Sequence, residues 1–122
     1  MRLVFGEKDA PYEEARVVVL PVPYDLSLSF LPGARRGPEA ILLASRELEP
    51  FLLELGAAPE EVGIHAAEPV PWVAGMAEES HRLIREEALK HLRAGKWLVA
   101  LGGDHSVTHP LVQAHREALG EF

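Results

Sequence analysis

Two short, almost continuous apolar runs restrict this chain to a small set of folds. RVVVL at 16–20 and KWLVAL at 96–101 are rich in β-branched side chains and show little polar alternation. A strand with one wet face alternates polar and apolar residues. A strand without that alternation is buried on both faces, as in a parallel sheet covered by helices.

The segments between the runs supply the covering helices. PVPYDLSLSFLPGARRGP at 21–38 is loop chemistry, with proline and glycine throughout. PEAILLASRELEPFLLELG at 38–56 reads as helix, with Ile41, Leu42, Leu48 and Leu52 on one side, a break at Pro50 and a stop at Gly56. Residues 62–66 offer a short strand. AEESHRLIREEALKHLRAGK at 77–96 is the clearest helix: Leu83, Ile84, Ala88 and Leu92 recur at helical spacing, acids lead and bases close. Thr108 is placed to cap a last helix through Leu119. Strand and helix alternate three times, which predicts an α/β fold with right-handed crossovers around a mostly parallel sheet.

Composition narrows the function classes. The chain has 122 residues and a net charge of −7, and its densest basic pair is Arg35-Arg36, so nucleic acid is not the expected partner. No apolar run is long enough to span a membrane, and MRLVFGEKDAPYEE lacks a signal-peptide pattern, so the expectation is cytoplasmic. With no cysteine, thiolate metal sites are excluded. Few amides and many ionic residues suit a thermophilic source.

The second run ends in GGDHS, residues 102–106. In open parallel sheets, ligands gather beyond the carboxyl ends of the strands. Gly102 and Gly103 permit positive φ and a close backbone approach. His105 then points over the sheet end as a donor for a transition metal or Mn²⁺, and Asp104 and Ser106 orient it. The other reading of the same residues is a plain strand-to-helix loop. His65, His109 and His115 read as packed or solvated side chains, and Glu117 and Glu121 as helix-end residues. Trp72 and Trp97 read as core or interface anchors.

A second stretch gives GGDHS a context. Pro23, Tyr24 and Asp25 are followed by Pro32, Gly33, Ala34, Arg35, Gly37, Pro38 and Ile41. With Gly102 to Ser106 following in that order, the chain resembles the ureohydrolase family of arginase, agmatinase and formimidoylglutamase, the agmatinase branch most of all. The sequence departs from the family at Leu31 and Leu42, where arginine is usual. A D-x-G-D stretch is replaced by Ile64-His65-Ala66-Ala67-Glu68.

The resemblance implies a three-layer α/β/α, arginase-like domain, present here as one incomplete domain over 1–122 with about three βα units. It implies two Mn²⁺ ions that activate water against a guanidinium carbon, releasing urea. Carried over residue by residue, His105 becomes a metal ligand, with Asp104 and Ser106 supporting it and Gly102 and Gly103 forming the loop. The family's other ligands lie in later D-A-H-x-D and D-x-D-x-x-D segments, and no aspartate follows Asp104 here. Catalytic residues are therefore expected outside these 122 residues, in a complementary C-terminal half. The expected substrate is a small guanidino compound: agmatine or an extended agmatine, with arginine and formimidoylglutamate left open. Sheet surface left bare predicts a homo-oligomer or that missing half as partner, and the alternative function is non-catalytic self-association.

Overall fold

The computed structural model describes residues 3–26, 31–73 and 75–121. Part of the 21–38 loop, residues 27–30, lies outside them. Three strands form one parallel sheet in the order β2-β1-β3: β1 is Val17–Val22, β2 is Ile64–Ala66 and β3 is Trp97–Gly102. Val17 stands opposite Ile64 on one side and Trp97 on the other. The helices are α1 (Gly37–Ala44), α2 (Ala77–Arg93) and α3 (Thr108–Leu119).

β1 is central, which explains its unbroken apolar character. Leu20 and Val22 pack into the core under α2 and α3, with Ile84, Ala88 and Val107. Val19 points the other way, to Leu42 of α1 and to Ile64. Alternate side chains thus enter different layers, and both layers are apolar. The predicted α/β class is what the structure shows. β1 runs two residues past the expected end, because Pro21 and Val22 still pair with Leu101 and Gly102.

The first long helix is shorter than its apolar pattern predicts. α1 stops at Ala44, a 3₁₀ turn covers Ser45–Glu47, and Leu48 is extended at ψ 142°. Pro50 supplies no N–H and disfavours helix before it, so the chain leaves the helix early. Only Leu42 of the expected stripe is buried; Ile41, Leu48 and Leu52 are not. α2 matches its pattern, with Ile84, Ala88, Leu89 and Leu92 buried. Its outer face is solvated, and Arg82 bridges Glu79 and Glu86 there.

The two outer strands are treated differently. The outer side of β2 is closed by the chain's first segment: Ala10 donates its N–H to the carbonyl of Ile64 (2.9 Å), and the Asp9 carboxylate accepts from the N–H of Ala66 (2.8 Å). Among the described residues, β3 has β1 as its one neighbouring strand. Trp97 and Val99 are accordingly 74% and 47% exposed, so of the two expectations for Trp97, core anchor or interface anchor, the core one does not hold. No helix among the described residues is long and apolar enough to cross a membrane.

Candidate functional site

The GGDHS loop leaves the carboxyl end of β3 and stays bound to the chain beyond β1. Gly103 donates to the carbonyl of Val22 (3.0 Å), and Asp104 donates to the carbonyl of Tyr24 (3.0 Å). The glycines are required by contact and not by positive φ; neither is among the positive-φ glycines. A Cβ on Gly103 would lie 2.0 Å from the Tyr24 carbonyl oxygen, and one on Gly102 would lie 2.7 Å from a Val107 methyl. The loop can pass this close to Tyr24 only without a side chain at 103.

Asp104 then turns the chain. Its carboxylate accepts from the N–H of Ser106 (2.9 Å) and from the Ser106 hydroxyl, capping a 3₁₀ turn at His105–Val107 that runs into α3. The cap of this last helical segment is therefore Asp104. Thr108, the residue expected to cap it, already sits inside α3, whose own start carries no side-chain cap. The Ser106 hydroxyl is held within the loop, and His105 is left exposed.

The earlier P-Y-D residues reach this loop through Tyr24, and Asp25 in turn holds the P-G-A-R residues. The Asp25 carboxylate accepts from the N–H groups of Gly33 (3.1 Å) and Arg35 (2.8 Å), and Gly33 takes φ 126°, a conformation that favours glycine. Tyr24 is fully buried and donates its hydroxyl to the carbonyl of Pro71. Burial pushes its phenol pKa up, with a hydrogen bond to Ser80 acting against that. Arg35 lies 5.0 Å over the ring of Trp72, which is 42% exposed and so covers a loop instead of filling the core. Sequence order alone does not reveal that Tyr24 touches Asp104. The P-Y-D match was the available signal.

The other candidates fall elsewhere. His65 is packed in β2, with Nδ1 2.9 Å from the Ala10 carbonyl and 3.3 Å from Asp9. The His115 ring bonds the carbonyl of Leu111 (2.8 Å) inside α3, and the His109 ring lies 6.4 Å from that of His81, tilted by 55°. Glu117 pairs with Arg85 and Arg93, and Glu121 with Arg116. Among the described residues, no group of three or more His, Asp or Glu is arranged to hold a metal ion. The donors present do not fit a complete metal centre; His105 offers one exposed imidazole towards such a centre.

Comparison with known proteins places this loop in a family. The model for the arginase family matches residues 15–122. The chain is 97% identical to N(1)-aminopropylagmatine ureohydrolase of Thermus thermophilus over 122 residues, all of this chain and 42% of that protein. A crystal structure of a hypothetical agmatinase from Burkholderia thailandensis superposes with a TM-score of 0.82 at 31% identity, covering 91% of this chain and 36% of that one. A variant formiminoglutamase of Trypanosoma cruzi, solved with Mn²⁺, superposes at 0.76 and 25% identity over 88% of this chain and 37% of its own. The chain spans about two-fifths of the length of the curated relative. The match across nearly all of its length, with GGDHS at the strand end, means that this chain belongs to the arginase family.

Proposed function

We propose that these 122 residues form the N-terminal portion of an agmatinase-like, manganese-dependent ureohydrolase. The reaction is hydrolysis of the guanidinium group of a linear amine, releasing urea. N(1)-aminopropylagmatine is the first candidate substrate, from the near-identity to the Thermus thermophilus enzyme, and agmatine is the second. His105 is the metal ligand that this portion contributes. Asp104 and Ser106 hold the loop that presents it, and Gly102 and Gly103 let that loop lie against Val107 and Tyr24. Further carboxylate and imidazole ligands come from the complementary C-terminal portion, seated on the open side of β3.

The observation that carries this reading is the seating of GGDHS. Its polar side chains, Asp104 and Ser106, are engaged with each other, while His105 is left accessible at the carboxyl end of the sheet. A ligand shared with another segment has to be accessible in just this way. Near-identity to an enzyme favours catalysis over self-association as the function.

The test is to produce the chain together with the remainder found in its longer relatives, then measure manganese content and urea release from both candidate substrates. The expected result is urea release that needs Mn²⁺ and falls by at least about a hundredfold in His105→Ala, with weakened metal binding. An assembled protein that binds Mn²⁺ and turns over equally well with His105→Ala would overturn the assignment.

A further inference from the structure

Tyr12, in the segment that closes the outer edge of β2, stands among three bases from three different elements. His65 of β2 meets its ring edge-on, 5.4 Å between centroids. His91 of α2 lies 5.5 Å from it, with Nδ1 2.9 Å from the phenol oxygen. Lys96, just before β3, sits 4.7 Å over the ring and donates to the carbonyls of Tyr12 and Ala15. His65 also reaches back to the Ala10 carbonyl and to Asp9, the residues that pair with β2. The contacts at Tyr12 and those that close the strand edge are therefore one connected set.

Apolar anchors bound this set on both sides. Leu3 and Phe5 pack on the layer of Val19, Leu42 and Ile64, and Ala15 is buried. α2 is held to β1 by other residues, Leu20, Ile84 and Ala88. Residues 9–14 can thus lift away at the cost of a few polar contacts, as local opening does in folded proteins. His91 supplies the drive. It is buried, and its Nε2 makes no hydrogen bond among the described residues. A proton added there is kept from water while the segment is closed. Lys90 on its own helix, His65 of β2 and Lys96 before β3 face it as bases, and Glu87 opposes them. The Glu87 oxygen is 3.6 Å from Nε2, but Lys90 already holds that oxygen at 2.5 Å. Glu68, beyond β2, lines the same hollow, and the first segment brings the Tyr12 hydroxyl to the ring.

We propose that residues 9–14 are an acid-operated latch on the outer edge of β2, opened at Tyr12 when His91 is protonated. Opening gives the imidazolium water and leaves the sheet and α2 folded. It uncovers the Ile64 carbonyl and the Ala66 N–H, which Ala10 and Asp9 occupy in the closed form. A strand edge with free pairing groups accepts an extended segment, so pH decides whether this edge is available. The device uses neither metal nor substrate and stands apart from the catalytic reading.

Amide exchange followed by NMR at about pH 7.5 and about pH 5.5 tests this, each rate normalised to that of an unstructured peptide at the same pH. The expected result is a several-fold loss of protection at Ala10 and Ala66 in acid, with Val19 and Ile84 unchanged. In His91→Gln, where the side chain carries no titratable proton, Ala10 and Ala66 should keep the same protection at both pH values. A second measurement needs no variant: the midpoint of the protection loss should follow the titration of the His91 ring. Equal protection of Ala10 and Ala66 at both pH values overturns the proposal, as does a loss shared with Val19 and Ile84, which is global unfolding. A pH response unchanged in His91→Gln, or a midpoint that follows the His65 ring instead, also overturns it.

Discussion

The hydroxyl of Tyr12 lies 2.9 Å from Nδ1 of His91, joining the first segment of the chain to the last turn of α2. His91 is 3% exposed, and its Nε2 makes no hydrogen bond among the described residues, although a Glu87 oxygen is 3.6 Å away. Lys96 lies 4.7 Å over the Tyr12 ring and donates to the carbonyls of Tyr12 and Ala15. The segment that closes the edge of β2 is thus anchored to α2 and to the start of β3.

This burial makes stability depend on pH. Burial lowers the His91 pKa below its ordinary 6.5, with Lys90, His65 and Lys96 acting the same way and Glu87 opposing them. Below pH 6.5 the unfolded chain takes up a proton that the folded chain resists. The His91 contribution is therefore complete above 6.5 and is lost as pH falls from there towards the native value. Melting curves from about pH 8 to about 5.5 should show the fall in Tm beginning near 6.5, and His91→Gln should remove part of that slope. Equal slopes in both proteins would contradict this.

Tyr12→Phe keeps the ring under Lys96 and removes the hydroxyl. The buried imidazole then loses the hydrogen bond at Nδ1, at a cost of about 1–3 kcal/mol. Urea denaturation should show a lower midpoint with an unchanged slope.

Gly103→Ala drives a methyl group into the carbonyl of Tyr24, because the two would be 2.0 Å apart. Backbone has to move, so the loop is displaced at a cost of roughly 1–3 kcal/mol. Amide exchange should rise at Asp104, whose N–H is bonded to that same carbonyl. Protection equal to wild type would show that the approach is not tight.

Tyr24→Phe leaves the carbonyl of Pro71 without its donor and removes a hydroxyl from the buried Ser80. The expected loss is about 1–3 kcal/mol by denaturation, with increased acrylamide quenching of Trp72 as its loop loosens. Unchanged quenching would show that the loop is held by other contacts.

Manganese should not stabilise these 122 residues by themselves, since no group of three ligands is arranged among the described residues. Calorimetry with Mn²⁺ and with a chelator should give the same Tm. Ligand binding to the folded state alone raises stability by RT ln(1 + [L]/Kd), so a rise with Mn²⁺ would reveal a site made by this chain alone.

Local pattern along the chain is enough to give the α/β class, the positions of β1 and β3, the extent of α2 and the identity of the loop at the carboxyl end. These follow from local periodicity and turn chemistry: an unbroken VVVL run is tolerated only where both faces are covered, and Ile84, Ala88 and Leu92 share a face only in a helix. Tertiary structure decided what periodicity cannot encode. It placed Tyr24 against Gly103, gave the cap to Asp104 instead of Thr108, ended α1 at Ala44 and put His91 beside Tyr12. It also left Trp97 exposed, although its strand is as apolar as β1. The physical reason is that side-chain pattern records which faces a segment can bury, whereas packing decides which neighbours arrive to bury them. For β3 the described residues supply a neighbour on one edge only.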